Sequence, residues 1–363
     1  VSPTRRIDPR RIATTLLLLL PLLGGCSSLG YYASLAQGQR ALLKAREPIE
    51  RIVGDEQRDP ELRRRLQKVQ EARRWAVGHL KLPDNQSYTT YADLGRPYVV
   101  WNVFAAPELS LEPLQNCFPL IGCMAYRGYY RQQQAEQRAD QLRHQGYDVH
   151  VGGVPAYSTL NWFADPVLST MMRWSDEVLV GMIFHELAHQ VVYVRDDTAF
   201  NESYAEFVEE QGLQEYLAEK GGTREAWQLF DRRRHEFVDL VLATRSRLVQ
   251  VFSADLSDSD KRAAKKRQFE QLAQDYQQLR DGPWAGYAGF DGWFAKGEPN
   301  NARLLPFALY DEHKPAFAVI FQQAGGDWAK FHGAVRELSK LPSGQRLERL
   351  RTLARQQTGM DTP

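Results

Sequence analysis

At 363 residues the chain can bury a substantial core as one large domain or two of ordinary size, which excludes a small disulfide-stapled scaffold. It carries 46 basic and 45 acidic side chains, a net charge of +1, so the balance argues against nucleic acid or another polyanion as partner. The local basic runs at 232–234 and 261–267 read as solvated helix faces.

In chain order, the first segment reads as a targeting sequence. Arg5, Arg6, Arg10 and Arg11 precede the apolar run Leu16 to Leu23, which is too short to span a bilayer as a helix. It ends in Leu23-Gly24-Gly25-Cys26, which resembles the lipobox of bacterial lipoproteins. That resemblance implies cleavage after residue 25 and acyl chains on Cys26 that hold the chain to a membrane. With Ser27 rather than aspartate next, it implies the outer membrane, facing the periplasm. In such a compartment Cys117 and Cys123 are expected to pair as a disulfide that fixes a local turn.

Residues 26–85 are expected to form a helical hairpin: a helical pattern over 31–53, interrupted at Gly38 and Pro48, then Asp59-Pro60-Glu61 opening a charged helix to about His79. Residues 86–165 mix strands and a helix. Tyr98 to Ala105 is rich in β-branched and aromatic residues, a helix is expected from about Arg131 to His144, and Tyr147 to Val151 alternates as a second strand. Pro155 in Gly152 to Thr159 places that strand at a sheet edge, where an extended peptide could add as a further strand. Residues 166–363 are mostly helical, with helices over about 201–220 and 224–280, a glycine- and aromatic-rich loop at 281–297 and further helices after Pro306. The expected fold is α+β and mostly helical, a small sheet region followed by a helical one.

The strongest chemical signal is His185-Glu186-Leu187-Ala188-His189. Positions i and i+4 share a helix face, so the two imidazoles can hold one zinc ion, while Glu186, one step round, can act as a base. Ser175 is a suitable N-cap, Asp176 and Glu177 fill the first turn, and apolar residues continue at helical spacing through Val192. A third ligand is required, and spacing alone leaves Glu202 and Glu206 as alternatives on one helix face. His235 reads as a surface residue, and no second metal site is expected. For a hydrogen-bond donor to a developing oxyanion, Tyr157, Tyr193, Tyr204, Tyr310 and His313 are the candidates.

The run Asn201-Glu202-Ser203-Tyr204-Ala205-Glu206 resembles the second helix of gluzincin metallopeptidases. The resemblance implies Glu202 as third zinc ligand and Glu206 as the carboxylate orienting a ligand histidine. The chain departs from that group in its short link between the two helices and in lacking a Gly-Ala-Met-Glu-Asn segment, the element that binds a free amine. Over most of its length it is similar to a family of bacterial lipoproteins classed as putative aminopeptidases. The resemblance rests on Leu23 to Cys26 with Gly30-Tyr31-Tyr32, Cys117-Phe118-Pro119 with Gly122-Cys123, Gly152 to Thr159, His185 to Gln190, Asp197 to Val208 and Asn300 to Leu304. It implies a lipid-anchored zinc peptidase, with residues 86–363 as the catalytic part and a peptide as substrate. A zinc endopeptidase acting on cell-envelope peptides and a non-catalytic lipoprotein with a structural zinc remain the alternatives.

Overall fold

A computed structural model describes residues 29–118, 122–156, 158–159, 162–221, 224–295, 297, 299–309 and 313–357. The fold is α+β and mostly helical, its strands gathered into small sheets. Helix α1 (29–44) opens the described part, followed by strand β1 (Arg46–Pro48), α2 (Ile49–Gly54) and α3 (Pro60–Gly78). Gly38 does not interrupt α1: the Tyr130 ring occupies the place a Cβ would take, so the glycine there admits an aromatic ring instead of breaking the helix. Asp59 caps α3 by accepting from the Leu62 amide at 2.7 Å.

The sheet that matters for function has three antiparallel strands. These are β3 (Val100–Pro107) at the centre, with β6 (Tyr126–Tyr129) on one side and β7 (Tyr147–Val154) on the other. Between β3 and β6 lies a small hairpin of β4 (Asn116–Phe118) and β5 (Gly122–Met124), and β2 (Thr90–Ala92) precedes them, paired with β1. Alternation gives the central sheet two faces. Trp101, Val103 and Ala105 of β3 pack with Val149 and Tyr129 against Ala135, Ala139 and Leu142 of α4 (Gln132–His144) and Tyr31 of α1. Asn102 and Phe104 point the other way, toward the helical region. Strand β7 ends the sheet order, with Pro155 directly after it.

The helical region forms around α5 (Asp176–Ala188), reached through the short strand β8 (Val167–Leu168). Ser175 caps α5, its hydroxyl accepting from the Val178 amide at 3.4 Å, and Asp176 in the first turn meets the Arg64 guanidinium of α3 at 2.5 Å. Leu179, Ile183, Phe184 and Leu187 are fully buried against α3 and α6 (Thr198–Lys220), in one core that also takes in Ile49, Leu66 and Trp75. The N-terminal helices therefore share a core with α5. Truncating Phe184 to alanine in so dense a setting costs about 3–5 kcal/mol. Gly181 permits the close crossing of α5 and α6, because a Cβ there would stand 3.2 Å from Glu209.

Helix α6 is followed in the chain by α7 (Arg224–Ser253) and then α8 (Asp258–Asp281). The following segment is not an open loop. It contains the short helix α9 (Asp291–Phe294) and is held by aromatic stacking, with the Phe290 ring 4.4 Å from that of Phe237. Helix α10 (Asn301–Leu304) is tied to the sheet: the Asn301 amide donates to the carbonyls of Pro107, Glu108 and Ser110 at 3.2, 2.8 and 2.9 Å. Helices α11 (Lys314–Gln323), α12 (Trp328–Ser339) and α13 (Ser343–Gln357) close the back of α6. No helix among the described residues is long and apolar enough to cross a membrane.

Candidate metal centre and cleft

Helices α5 and α6 carry the central residues, and the loop between them is short because it is tied at both ends. The Asn201 side chain clasps Val194, accepting from its amide at 2.7 Å and donating to its carbonyl at 2.7 Å. Asp197 caps α6, accepting from the Phe200 amide at 3.1 Å, and is gripped by the Arg346 guanidinium of α13 at 2.6 Å. This geometry brings Glu202 back beside the last turn of α5.

There His185, His189 and Glu202 converge. The two Nε2 atoms lie 3.1 Å apart, and the Glu202 carboxylate stands 3.4 Å from that of His185 and 3.7 Å from that of His189. Ligand atoms about 2.0–2.1 Å from a tetrahedral ion are separated by roughly 3.3 Å, so these spacings suit a single metal ion held by two imidazoles and one carboxylate. All three residues belong to one group able to bind a metal. Burial alone would depress both histidines. It pulls His189 down to about 4, whereas His185, flanked by Glu202 and Glu209, is held well above its ordinary value. Glu202 is opposed by burial, but the adjacent His189 and His185 keep it below the usual glutamate range.

Glu186 lies beside the triad in the same cleft, and burial raises its carboxyl to about 8. The carboxylate beside the far nitrogen of His185 is not Glu206, the one expected to orient a ligand histidine. Glu209 Oε2 is 3.0 Å from His185 Nδ1, and Glu206 instead faces the Arg234 guanidinium at 3.7 Å. Nor does Glu206 reach His189, whose Nδ1 has no hydrogen-bond partner among the described residues. The reason is directional. With Nε2 turned to the metal position, Nδ1 of His185 lies on the opposite side of the ring, beside a carboxylate two turns rather than one beyond Glu202. The signal was in the sequence, since positions 202 and 209 share a face, but it looked like part of a solvated acidic stripe.

Of the oxyanion candidates, Tyr193 lines the cleft. Tyr204 does not: it is fully buried, its hydroxyl 2.8 Å from His332 Nδ1. His313 is buried with its amide donating to Ser203 Oγ at 3.1 Å, outside the cleft wall. Tyr157 and Tyr310 lie outside the described residues, as does Cys26. Tyr126 of β6 was missed. Its ring is in the cleft wall, and burial together with the nearby Glu202 raises its hydroxyl. A second acidic group, Glu210, Asp231 and His235, is already served by cations. Lys314 Nζ stands 2.8 Å from Glu210 and 2.7 Å from His235, and Arg234 reaches Glu210 at 3.0 Å.

Cys117 and Cys123 are joined as a disulfide across the β4–β5 hairpin. The hairpin docks on the loop between the ligand helices: the Cys123 amide donates to Asp196 Oδ1 at 3.0 Å, and that carboxylate fills the space where a Cβ of Gly122 would be.

A family model described as "Putative aminopeptidase" matches residues 30–350. The chain belongs to that family. The match spans the sheet, α5, α6 and the helices behind them, so the cleft lies wholly within the family's own region. No curated protein and no solved structure gave a significant match.

Proposed function

We propose that the chain is a zinc-dependent aminopeptidase. The observation that carries this reading is the convergence of His185 Nε2, His189 Nε2 and the Glu202 carboxylate beside the buried Glu186, in a chain of an aminopeptidase family. Two imidazoles and a carboxylate are a donor set that suits zinc with a position left for the reacting groups. When bound there, zinc polarises the scissile carbonyl and activates a water for attack at neutral pH.

The chain's own residues supply the rest. Glu186, which the charge of a bound cation would hold ionised against the effect of burial, removes the proton of the attacking water and passes it to the leaving amine. Glu209 fixes the tautomer of His185, so that Nε2 presents its lone pair to the metal position. Tyr193 and Tyr126 line the wall, and the hydroxyl of one of them is the donor proposed for the developing oxyanion. Val154 at the end of β7 and Pro155, Ala156, Ser158 and Thr159 border the same cleft, which supports binding of an extended peptide along that sheet edge.

The Arg-rich start, the leucine run and Cys26 support a lipid anchor, with the enzyme facing the periplasm from the outer membrane. The experiment is hydrolysis of matched unblocked and N-acetylated peptides by the zinc-loaded chain. Cleavage confined to unblocked peptides is the expected result, and equal cleavage of both would replace an aminopeptidase by an endopeptidase. The anchor is tested separately by Cys26→Ser, which should release the protein from membranes.

A further inference from the structure

The cleft is larger than the metal centre needs. It encloses about 760 Å³, within the range of cavities that bury most of a small ligand. Three helical stripes line it. Val178, Met182, His185 and His189 form one face of α5, Glu202, Glu206 and Glu209 form the floor on α6, and Trp227, Phe230, Arg234 and Val238 form one face of α7.

The directions of these helices sort the wall by chemistry. Helix α5 crosses α6 with Gly181 against Glu209 and Leu213, and α7 returns along α6 with Arg234 beside Glu206 and Glu210. Both neighbours therefore run opposite to α6. Val178 and Trp227 consequently lie at the same end, away from Glu202. Met182 and Val178 sit about 4.5 and 10 Å along the α5 axis from His185, from the rise per residue of a helix. The charged side chains are confined to the middle and the metal end, where Arg234 is paired with carboxylates and Glu209 with His185.

Beyond them the wall is formed by Trp174, Val178, Met182, Trp227 and Phe230, without a charged group among the described lining residues. Four of these five are only half-buried, although they pack against the main core, so their apolar surface faces the cavity. Apolar surface turned into a cavity favours an apolar occupant.

Resting on the peptidase reading above, we infer that this arm is the specificity pocket: it takes a bulky apolar side chain, aliphatic or aromatic, from the substrate residue next to the scissile bond. Met182, the nearest of the five to His185 along α5, meets the base of that side chain. Trp174, Val178, Trp227 and Phe230 enclose its end.

The test is cleavage of an unblocked peptide mixture by the zinc-loaded full chain, with cut sites mapped by mass spectrometry. Sites next to Leu, Met, Phe or Trp should be favoured at least tenfold over those next to Asp, Lys or Gly. Met182→Lys should lower kcat/KM for the apolar sites at least tenfold and raise the relative rate at acidic ones. Phe230→Ser, on a different helix, should weaken the same preference, and thermal melts of both variants separate this from loss of fold. Cleavage without apolar bias, or an unchanged preference in both folded variants, would overturn the pocket and leave the peptidase standing. In parallel, titration of the Glu186→Gln holoprotein with Leu- and Phe-containing peptides reads binding alone. If the wild type cleaves nothing but that variant binds apolar peptides at least tenfold tighter than acidic ones, the pocket stands and the peptidase reading falls. If no apolar preference appears in binding either, both are lost.

Discussion

Glu209 Oε2 and His185 Nδ1 stand 3.0 Å apart, and through that contact α6 reaches the far side of a histidine of the candidate metal group. A carboxylate on the far nitrogen of an imidazole fixes its tautomer and raises its basicity. Glu209→Ala should therefore weaken metal binding by about 10–100-fold, measured by competition with a chromophoric chelator. Glu206→Ala, which removes a partner of Arg234 rather than of a histidine, should weaken it much less. An equal loss in both would mean that the acidic floor acts through total charge and not through the single contact.

Glu186 and Glu202 occupy adjacent places and should fail in different ways. Glu186→Gln keeps the shape of the cleft and should bind the same amount of metal while losing about 10²–10⁴-fold in kcat. Retained turnover would remove Glu186 as the base. Glu202→Ala should lose the metal itself. An unchanged metal stoichiometry in that variant would move the third ligand to Glu206.

Why these residues were readable, and others not, follows from the range of the interactions. Helix α5 is specified locally: Ser175 caps it, Asp176 and Glu177 face its N-terminus, and a periodic apolar stripe runs to His189. The shared face of His185 and His189 follows from helical periodicity alone, and Asn201 to Glu206 marked the partner helix. The choice between Glu206 and Glu209 depends on how α5 crosses α6 at Gly181, which no local pattern contains. Tyr126 comes from a four-residue strand too short for a clear alternation, paired to β3 through the tertiary fold. Asn301 stands out in the sequence only through the family resemblance, yet its role is structural, since its amide donates to three carbonyls at the end of β3. The apolar arm was invisible for a similar reason: Val178 and Trp227 look like ordinary core residues until α7 folds back along α6.

Asp196 links the disulfide hairpin to the ligand loop from a left-handed backbone, φ +61°, while accepting from Cys123. Asparagine tolerates that conformation and keeps an oxygen acceptor, so Asp196→Asn should be close to neutral. Asp196→Val combines a β-branched residue at positive φ with loss of the acceptor, and should cost about 2–3 kcal/mol in unfolding by urea. Equal midpoints for the two variants would show that the hairpin does not depend on this contact.

His332 supplies a pH dependence remote from the metal centre. It is buried on α12, with Nε2 donating to the Leu80 carbonyl at 2.9 Å and Nδ1 facing the Tyr204 hydroxyl at 2.8 Å. This arrangement suits the neutral ring: one nitrogen donates, the other accepts from the tyrosine. Burial, the leading cause, lowers its pKa from 6.5 to about 4, and the nearby Arg336 adds to the effect. A folded-state value below the unfolded one means that the unfolded chain binds the proton more readily. The contribution to stability is thus complete above pH 6.5 and is lost as the pH falls from there toward 4. Its full size is about 3 kcal/mol, taking about 1.4 kcal/mol for each pH unit between the two values. Urea unfolding of wild type and His332→Gln at pH 8, 6 and 4.5 should show the variant less stable at pH 8, with the gap narrowing toward pH 4.5. A gap that stays constant across that range would mean that His332 titrates alike in the folded and unfolded chains, and that burial does not hold it neutral.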